Sequence, residues 1–268
     1  MKKISHGGNI YKKAKEMGIQ EEDILDFSAN ISPLGLPEHI RRAMIEAIDG
    51  TINYPDPDCS RLKEAISKQD NVPESHITCG NGGADLLYRL AFGLHPKKVL
   101  LPAPAFVEYE EALSAAGAQM EYYLMRDDFV IKEDILEQIT EETDFVVICN
   151  PNNPTGILTE KELILRVLER AKETNTFVMA DECFLEICQN ESEYTVKPFI
   201  EKYENLIILK SFTKLYAIPG VRLGYILAGS EDVIAKVNRT GQAWSVSHIA
   251  QCAGVAALSD NVYKERVI

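Results

Sequence analysis

SFTKLYAIPGVRLG, residues 211–224, places one lysine among hydroxyl, aromatic and apolar side chains. The segment follows the apolar run 206–209, which is typical of a buried strand. Burial lowers the pKa of a lysine, so Lys214 can present a neutral amine that attacks a carbonyl carbon. An ordinary solvated surface lysine is the alternative. The hydrogen-bond donors that this segment offers to a phosphate are Ser211, Thr213 and Arg222.

Apolar runs bounded by turn residues recur along the chain and alternate with segments of helical period. The predicted strands are residues 99–101, 145–149, 177–180, 206–209 and 223–228. Helices are predicted over 84–93 and 106–116, and after Thr159, where Thr159-Glu160-Lys161-Glu162 has the pattern of a capping box. This alternation predicts βαβ units and an α/β fold with a mostly parallel sheet.

Three further strand ends carry unusual residues, and ligands bind at the carboxyl ends of strands in such sheets. CGNGGAD, residues 79–85, follows a short predicted strand at Ile77-Thr78 and forms either a plain turn or a glycine-rich turn whose free N–H groups bind a phosphate. NPNNPTG, residues 150–156, is a rigid turn that can also present an asparagine amide. Asp181 ends a buried strand, where a carboxylate either caps the next segment or needs a cation or donor as partner.

Together the four strand ends indicate one ligand with a phosphate, a basic ring nitrogen, a ring hydroxyl and an aldehyde. Pyridoxal 5′-phosphate has this set of groups, and Lys214 would bind its aldehyde covalently. Phe106, which follows the predicted strand 99–101, is placed to stack on the ring. The sequence therefore predicts an enzyme that depends on pyridoxal phosphate.

The composition restricts the possible classes of protein. The chain has 268 residues, of which 46% are hydrophobic, and this excludes collagen-like, coiled-coil and disordered proteins. A net charge of −13 argues against a nucleic-acid partner. No apolar run is long enough to span a membrane, and the polar start lacks a signal peptide. The six cysteines form no CxxC pair, so we expect buried reduced thiols, no metal site and a cytoplasmic location.

The motifs, in this order, resemble the fold type I pyridoxal-phosphate enzymes of the class I/II aminotransferase superfamily, from His6 to the end of the chain. The resemblance implies a three-layer α/β/α large domain with a mostly parallel, mixed sheet. Two groups within the superfamily are similar: histidinol-phosphate aminotransferase and the threonine-phosphate decarboxylase of cobalamin biosynthesis. The decarboxylase is favoured by HGGNI (6–10), DFSANISPLG (26–35), FTKLYAIPG (212–220) and WSV (244–246).

The resemblance also implies roles for individual residues. Asp181 pairs with the ring nitrogen of the cofactor, and Asn153 donates to the ring 3′-oxygen. The phosphate is held by Gly82, Gly83, Ser211, Thr213 and Arg222. Tyr54 reaches the cofactor phosphate of a partner subunit, which implies a homodimer. The substrate, an amino acid phosphate, is contacted by His6, Gly7, Asn30 and Asn153. Phe184 departs from many aminotransferases, which have a tyrosine at this position.

The resemblance finally implies a division of the chain and a choice of reactions. Residues 1–35 would form an N-terminal arm, 36–258 the large domain, and 259–268 the start of a connection to a small C-terminal domain that this chain lacks. The implied reaction is decarboxylation of L-threonine O-3-phosphate to (R)-1-aminopropan-2-ol O-phosphate. Transamination of histidinol phosphate and a non-catalytic cofactor-binding fragment are the two alternatives.

Overall fold

A single mixed sheet organises the protein, of which the computed structural model describes residues 7–268. Its strands within these residues are β1 (Ile77–Gly80), β2 (Lys98–Ala103), β3 (Gln119–Leu124), β4 (Phe145–Cys149), β5 (Phe177–Asp181), β6 (Leu206–Ser211) and β7 (Gly224–Ala228). Their order is β1-β7-β6-β5-β4-β2-β3. β7 is antiparallel to both of its neighbours, and the pairs from β6 to β3 are parallel. The predicted α/β architecture with a mostly parallel, mixed sheet is therefore confirmed.

Helices cover both faces of the sheet. They are α1 (Ile10–Met17), α2 (Glu38–Glu46), α3 (Ser60–Asp70), α4 (Gly83–Leu94), α5 (Val107–Ala115), α6 (Lys161–Glu173), α7 (Glu191–Tyr194), α8 (Phe212–Leu215), α9 (Glu231–Thr240), α10 (His248–Ala257) and α11 (Asn261–Val267). Side chains of β4 alternate between two cores: Val146 and Ile148 pack with α3, α6 and α10, while Phe145 and Val147 pack with α4, α5 and α9. This alternation produces the three-layer α/β/α arrangement.

The predicted strands are all present, with bounds that differ by a few residues. The structure also contains β3, which the sequence did not predict. β3 lies at the edge of the sheet and most of its side chains are at least partly exposed. Because an edge strand of this kind lacks a continuous apolar run, hydrophobic pattern alone does not detect it.

The capping box predicted at Thr159 is wrong. α6 begins at Lys161, and its N-cap is Glu160, which makes no capping hydrogen bond through its side chain. The backbone of Thr159 is held instead by Asn150, whose Nδ2 donates to the Thr159 carbonyl (3.1 Å) and whose Oδ1 accepts from its N–H (2.8 Å). These two bonds fix Thr159 outside the helix.

Strand direction brings the predicted site residues together along the carboxyl ends of the parallel strands. The parallel strands β4, β5 and β6 end there, at Cys149, Asp181 and Ser211. Because β7 is antiparallel, its first residue lies at the same edge, where Gly224 pairs with Ser211 on one side and with Gly80 on the other. Arg222 precedes β7 and therefore joins the ends of the other strands.

All six cysteines are free thiols, but they are less uniformly buried than expected. Cys59, Cys79 and Cys149 are buried, whereas Cys183, Cys188 and Cys252 are partly exposed. The expectation of burial was wrong for the last three, each of which lines a cavity. Among residues 7–268, no helix has the length and apolar character needed to cross a membrane.

Candidate active site

Lys214 lies on α8, a single turn that begins directly after β6. The Ser211 hydroxyl caps this turn by accepting from the Thr213 N–H (3.2 Å), and the hydroxyls of the two residues lie 2.8 Å apart. The Lys214 Nζ is partly buried, 3.5 Å from the Ala29 carbonyl oxygen and 5.2 Å from the centre of the Phe184 ring. Burial lowers the pKa of Lys214, which favours the neutral, nucleophilic amine.

A cradle for an anion lies where β1 turns into α4. Gly82 has φ +88°, and a Cβ at this position would lie 2.5 Å from Nη2 of Arg222, so the guanidinium packs directly on the glycine backbone. Gly83 is the first residue of α4, whose N-terminus offers N–H groups and the positive end of the helix dipole. Ser211 and Thr213 line one small cavity together with Gly83 and Arg222. This donor set fits a phosphate group.

Asp181 ends β5 and is 7% exposed. Its Oδ2 accepts from the Tyr109 hydroxyl (2.6 Å), and its Oδ1 accepts from the Cys183 N–H (2.9 Å). Burial, together with the neighbouring Asp181 charge, raises the pKa of Tyr109 well above its ordinary value, so Tyr109 remains a donor. Asp181 also lines the small cavity that contains Ser211 and Thr213, where a protonated ring nitrogen could form an ion pair with its carboxylate.

Tyr109 is a site residue that the sequence did not identify. It lies on α5, three residues after Phe106, and the two rings meet edge to face with centroids 5.7 Å apart. A tyrosine within an apolar helical face is an ordinary core residue by pattern. The one available signal was its spacing from Phe106, because residues three apart share a helical face.

A cavity of about 210 Å³ brings most of the predicted cofactor residues together. Predicted residues that line it are Gly83, Phe106, Asn153, Asp181, Ser211, Thr213, Lys214 and Arg222. Gly82 joins them through its contact with Arg222. Residues from α4, α5 and the ends of β4, β5 and β6 thus converge on one space, as the carboxyl ends of strands in such sheets do.

The three asparagines of the NPNNPTG turn make different contacts. Asn150 braces Thr159, and Asn152 Nδ2 donates to the Pro104 carbonyl (3.1 Å) and to Thr155 Oγ1 (3.0 Å). Asn153 lines the cofactor cavity. Asn150 and Asn152 therefore fix the local turn, and Asn153 is left to face the cavity; its bond to the ring 3′-oxygen stays a prediction.

A second cavity of about 360 Å³ adjoins the first and shares Asn153 and Phe184 with it. Asn30 lines this larger cavity and has a left-handed backbone, with φ 44°. Gly7 lies elsewhere, packed so closely on Ser28 that a Cβ would lie 2.3 Å from its carbonyl oxygen. The prediction for His6 lies outside the described residues. The larger cavity is the candidate substrate space.

Tyr54 borders neither of these cavities. Its side chain is 79% exposed, and its ring stacks on Trp244 with centroids 4.5 Å apart. This position is compatible with a role toward another subunit and excludes a contact with the chain's own cofactor cavity. The role predicted for Tyr54 stays a prediction.

On the face of the sheet opposite the cavity, Glu182 and Lys210 form a buried ion pair that the sequence did not identify. Lys210 Nζ lies 3.6 Å from Glu182 Oε2, and both side chains are almost fully buried. Thr195 Oγ1 and the Val196 N–H donate to the carboxylate of Glu182 (2.8 and 2.9 Å). Nearby carboxylates outweigh the effect of burial and raise the pKa of Lys210. Strand alternation therefore directs Asp181 to the cavity and its neighbour Glu182 to the opposite face.

Known proteins resemble this chain over most of its length. Residues 22–266 match the family described as aminotransferase class I and II. A threonine-phosphate decarboxylase from Salmonella typhimurium is 36% identical over 263 residues, which are 97% of this chain and 72% of that protein. The structure is similar to those of a histidinol-phosphate aminotransferase from Clostridium acetobutylicum (TM-score 0.85, 30% identity, 91% and 72% of the two chains) and an L-threonine-O-3-phosphate decarboxylase from Porphyromonas gingivalis (TM-score 0.80, 28% identity, 90% and 70%).

The residues present also fit the cofactor of that family. The Gly82–Arg222 cradle suits the phosphate, the buried Asp181 suits a protonated ring nitrogen, and the amine of Lys214 suits the aldehyde. The chain spans about seven tenths of the length of the relatives named above. The protein belongs to the class I and II aminotransferase family, whose cofactor is pyridoxal phosphate.

Proposed function

We propose that this chain carries out the pyridoxal-phosphate-dependent decarboxylation of L-threonine O-3-phosphate to (R)-1-aminopropan-2-ol O-phosphate. The geometric observation that carries the proposal is the position of the segment 29–35, which lies directly against the lysine. The Ser32 N–H donates to the Lys214 carbonyl (3.0 Å), and Asn30 lines the larger cavity. This segment belongs to one of the four stretches of sequence that resemble the decarboxylase, and a decarboxylase relative is 36% identical over almost the whole chain.

Several side chains would hold the cofactor. Gly82, Gly83, Ser211, Thr213 and Arg222 would bind its phosphate, and Phe106 would pack on the ring face. Asp181, oriented by Tyr109 and the Cys183 N–H, would keep the ring nitrogen protonated, because an anionic carboxylate favours the charged form of its partner. Asn153 would donate to the ring 3′-oxygen.

The bound cofactor supplies an electron-withdrawing ring that accepts the electron pair released at the substrate Cα. Lys214 would have two tasks: its amine would hold the cofactor before the substrate arrives, and its protonated form would donate a proton to the Cα in place of the departed CO2. Burial suits Lys214 to both tasks, since a lowered pKa makes its ammonium group easier to deprotonate. Asn30 and Asn153, at the wall of the larger cavity, would fix the orientation of the substrate.

The orientation of the substrate separates decarboxylation from transamination. The bound cofactor would favour cleavage of the Cα bond held perpendicular to its ring, so a carboxylate in that position would favour loss of CO2 and a hydrogen would favour transamination. Transamination of histidinol phosphate is the second candidate, favoured by the likeness to the Clostridium acetobutylicum enzyme. Phe184 favours decarboxylation by resemblance, since it has no hydroxyl where many aminotransferases have a tyrosine.

The test loads the chain with pyridoxal phosphate and offers threonine phosphate or histidinol phosphate with a 2-oxo acid. CO2 release from threonine phosphate supports the proposal, whereas transfer of the amino group from histidinol phosphate alone supports the second candidate. Cofactor binding with turnover of neither substrate supports a non-catalytic role. Lys214→Ala is expected to abolish the absorbance band of the lysine-bound cofactor at the edge of the visible range, and Lys68→Ala, which removes an exposed lysine, is expected to retain it.

Three broader assignments belong to the same proposal. Residues 1–35 would be an arm, 36–258 the large domain, and 259–268 the start of a connection to a further domain. The chain would be a homodimer in which the exposed Tyr54 reaches the partner's cofactor phosphate. Free thiols at all six cysteines support a cytoplasmic location. Sedimentation of cofactor-loaded protein tests the dimer, and a monomer with full occupancy would contradict it.

A further inference from the structure

The last helix of the chain, α11, contacts the segment that covers Lys214. Tyr263 on this helix is 5% exposed, and its hydroxyl lies between two groups of the segment 29–35. It donates to the Gly35 carbonyl (2.8 Å) and lies 3.1 Å from Ser32 Oγ. A tyrosine hydroxyl has one proton, so the Ser32 hydroxyl is the donor in the second bond. One side chain thus fastens the segment at two points.

The segment is joined in turn to the backbone of Lys214. The Ser32 N–H donates to the Lys214 carbonyl (3.0 Å), and the Ala29 carbonyl is 3.5 Å from the Lys214 Nζ. Ser32, which stands between Tyr263 and Lys214, is 4% exposed. Water therefore has little access to Ser32 and cannot readily replace a hydrogen bond that this residue loses.

A second path joins Tyr263 to the same lysine through stacked rings. The Tyr263 ring lies parallel to that of Tyr216, with centroids 6.2 Å apart, and Tyr216 stacks on Phe212 at 5.9 Å. Phe212 and Tyr216 lie two residues before and after Lys214. Packing contacts and hydrogen bonds therefore connect α11 to the lysine independently.

Two ion pairs and a cap hold α11 itself in place. Lys264 Nζ lies 2.7 Å from Glu191 Oε2 and 3.6 Å from Glu186 Oε1. The Asp260 carboxylate accepts from the N–H groups of Val262 and Tyr263 (2.9 and 3.3 Å). The helix is thus a fixed support, and Val267 near its end lines the larger cavity together with Asn30.

We propose that Tyr263 is a positioning residue that holds the segment 29–35, and with it Asn30, over Lys214 and the substrate space. This proposal rests on the proposed function for its effect on catalysis, but its structural part does not. Tyr263 touches neither the reacting atoms nor the cofactor cavity and acts through Ser32 and Asn30. Substrate binding should therefore depend on the Tyr263 hydroxyl more than turnover does, because misplacing a group that orients the substrate weakens its binding.

The decisive variant is Tyr263→Phe, which keeps the stacked ring and removes the hydroxyl. Two hydrogen bonds are lost, so amide hydrogen exchange in the segment 29–35 is expected to become about 5- to 30-fold faster. The KM for threonine phosphate is expected to rise roughly three- to tenfold, which corresponds to the loss of about one hydrogen bond. The kcat is expected to stay within about twofold of the original value. Ser32→Ala interrupts the same path, so the double variant should exchange no faster than the faster single variant.

Tyr123→Phe is the matched control. Tyr123 is 4% exposed, and its hydroxyl also makes two hydrogen bonds, to Asp134 and from the Lys132 N–H, at the far edge of the sheet. Three results would overturn the proposal. The first is unchanged amide exchange in the segment 29–35 of Tyr263→Phe, and the second is an equal acceleration of that exchange in Tyr123→Phe. The third is faster exchange in Tyr263→Phe with an unchanged KM for threonine phosphate. Hydrogen exchange needs neither cofactor nor substrate, so it still decides whether Tyr263 holds the segment if no substrate is turned over and the proposed function fails.

Discussion

Gly82→Ala tests the assignment of the anion cradle most directly. Gly82 has φ +88° and ψ 169°, a backbone conformation that is essentially restricted to glycine. An added Cβ would lie 2.5 Å from Nη2 and 3.0 Å from Cζ of the Arg222 guanidinium, so the arginine would have to move. The substitution therefore strains the turn and displaces the one cationic group of the cradle in a single step.

The expected loss of affinity follows from these two contacts. A hydrogen bond to a charged group contributes about 1.5–3 kcal/mol, and displacement of Arg222 would remove at least one such bond to the phosphate. At about 1.4 kcal/mol per tenfold change, the Kd for pyridoxal phosphate should rise roughly ten- to a hundredfold. The unusual backbone of residue 82 should separately cost about 1–3 kcal/mol of folding free energy.

Gly83→Ala is the matched control for this prediction. Gly83 is helical, its N–H is retained, and its added Cβ would meet Leu209 Cδ2 at an ordinary 3.8 Å. Titration of apoprotein with pyridoxal phosphate, followed by absorbance, measures both variants, and urea unfolding shows that each is folded. A near-normal Kd for Gly82→Ala, or an equal loss in Gly83→Ala, would refute the assignment of the cradle.

Two other predictions concern the lysine and the aspartate. Because burial lowers the pKa of Lys214 below the usual 10.5, the neutral amine forms at lower pH, and its rate of reaction with pyridoxal phosphate should level off below pH 10.5. A plateau at or above that pH, as for an exposed lysine, contradicts this prediction. Tyr109→Phe removes a donor to the buried Asp181 carboxylate and should lower the free energy of unfolding in urea by about 1.5–3 kcal/mol. Tyr11→Phe, at an exposed tyrosine, should change it by less than about 0.5 kcal/mol, and a similarly small loss in Tyr109→Phe would show that its bond to Asp181 contributes nothing.

Local sequence patterns were enough to predict the α/β architecture and to select candidate residues for the site. Apolar runs such as 145–149 and the turns that follow them are local signals, since they depend on strand period and on the backbone preferences of glycine, proline and asparagine. The same local signals placed Asp181 and Lys214 at strand ends. They failed where the local pattern was weak, at the half-exposed edge strand β3, and where a distant side chain intervened, at Thr159, which Asn150 holds outside α6.

Tertiary packing, by contrast, selects which residues become partners. The antiparallel direction of β7 brings Arg222 onto Gly82, and packing joins Tyr109 to Asp181 across 72 residues and Ser32 to Tyr263 across 231. Strand direction and helix packing depend on the whole core, because each apolar face is buried by elements far away in the sequence. The candidate site residues are therefore indicated by local sequence, whereas their partners, burial and pKa arise when the distant parts of the chain pack together.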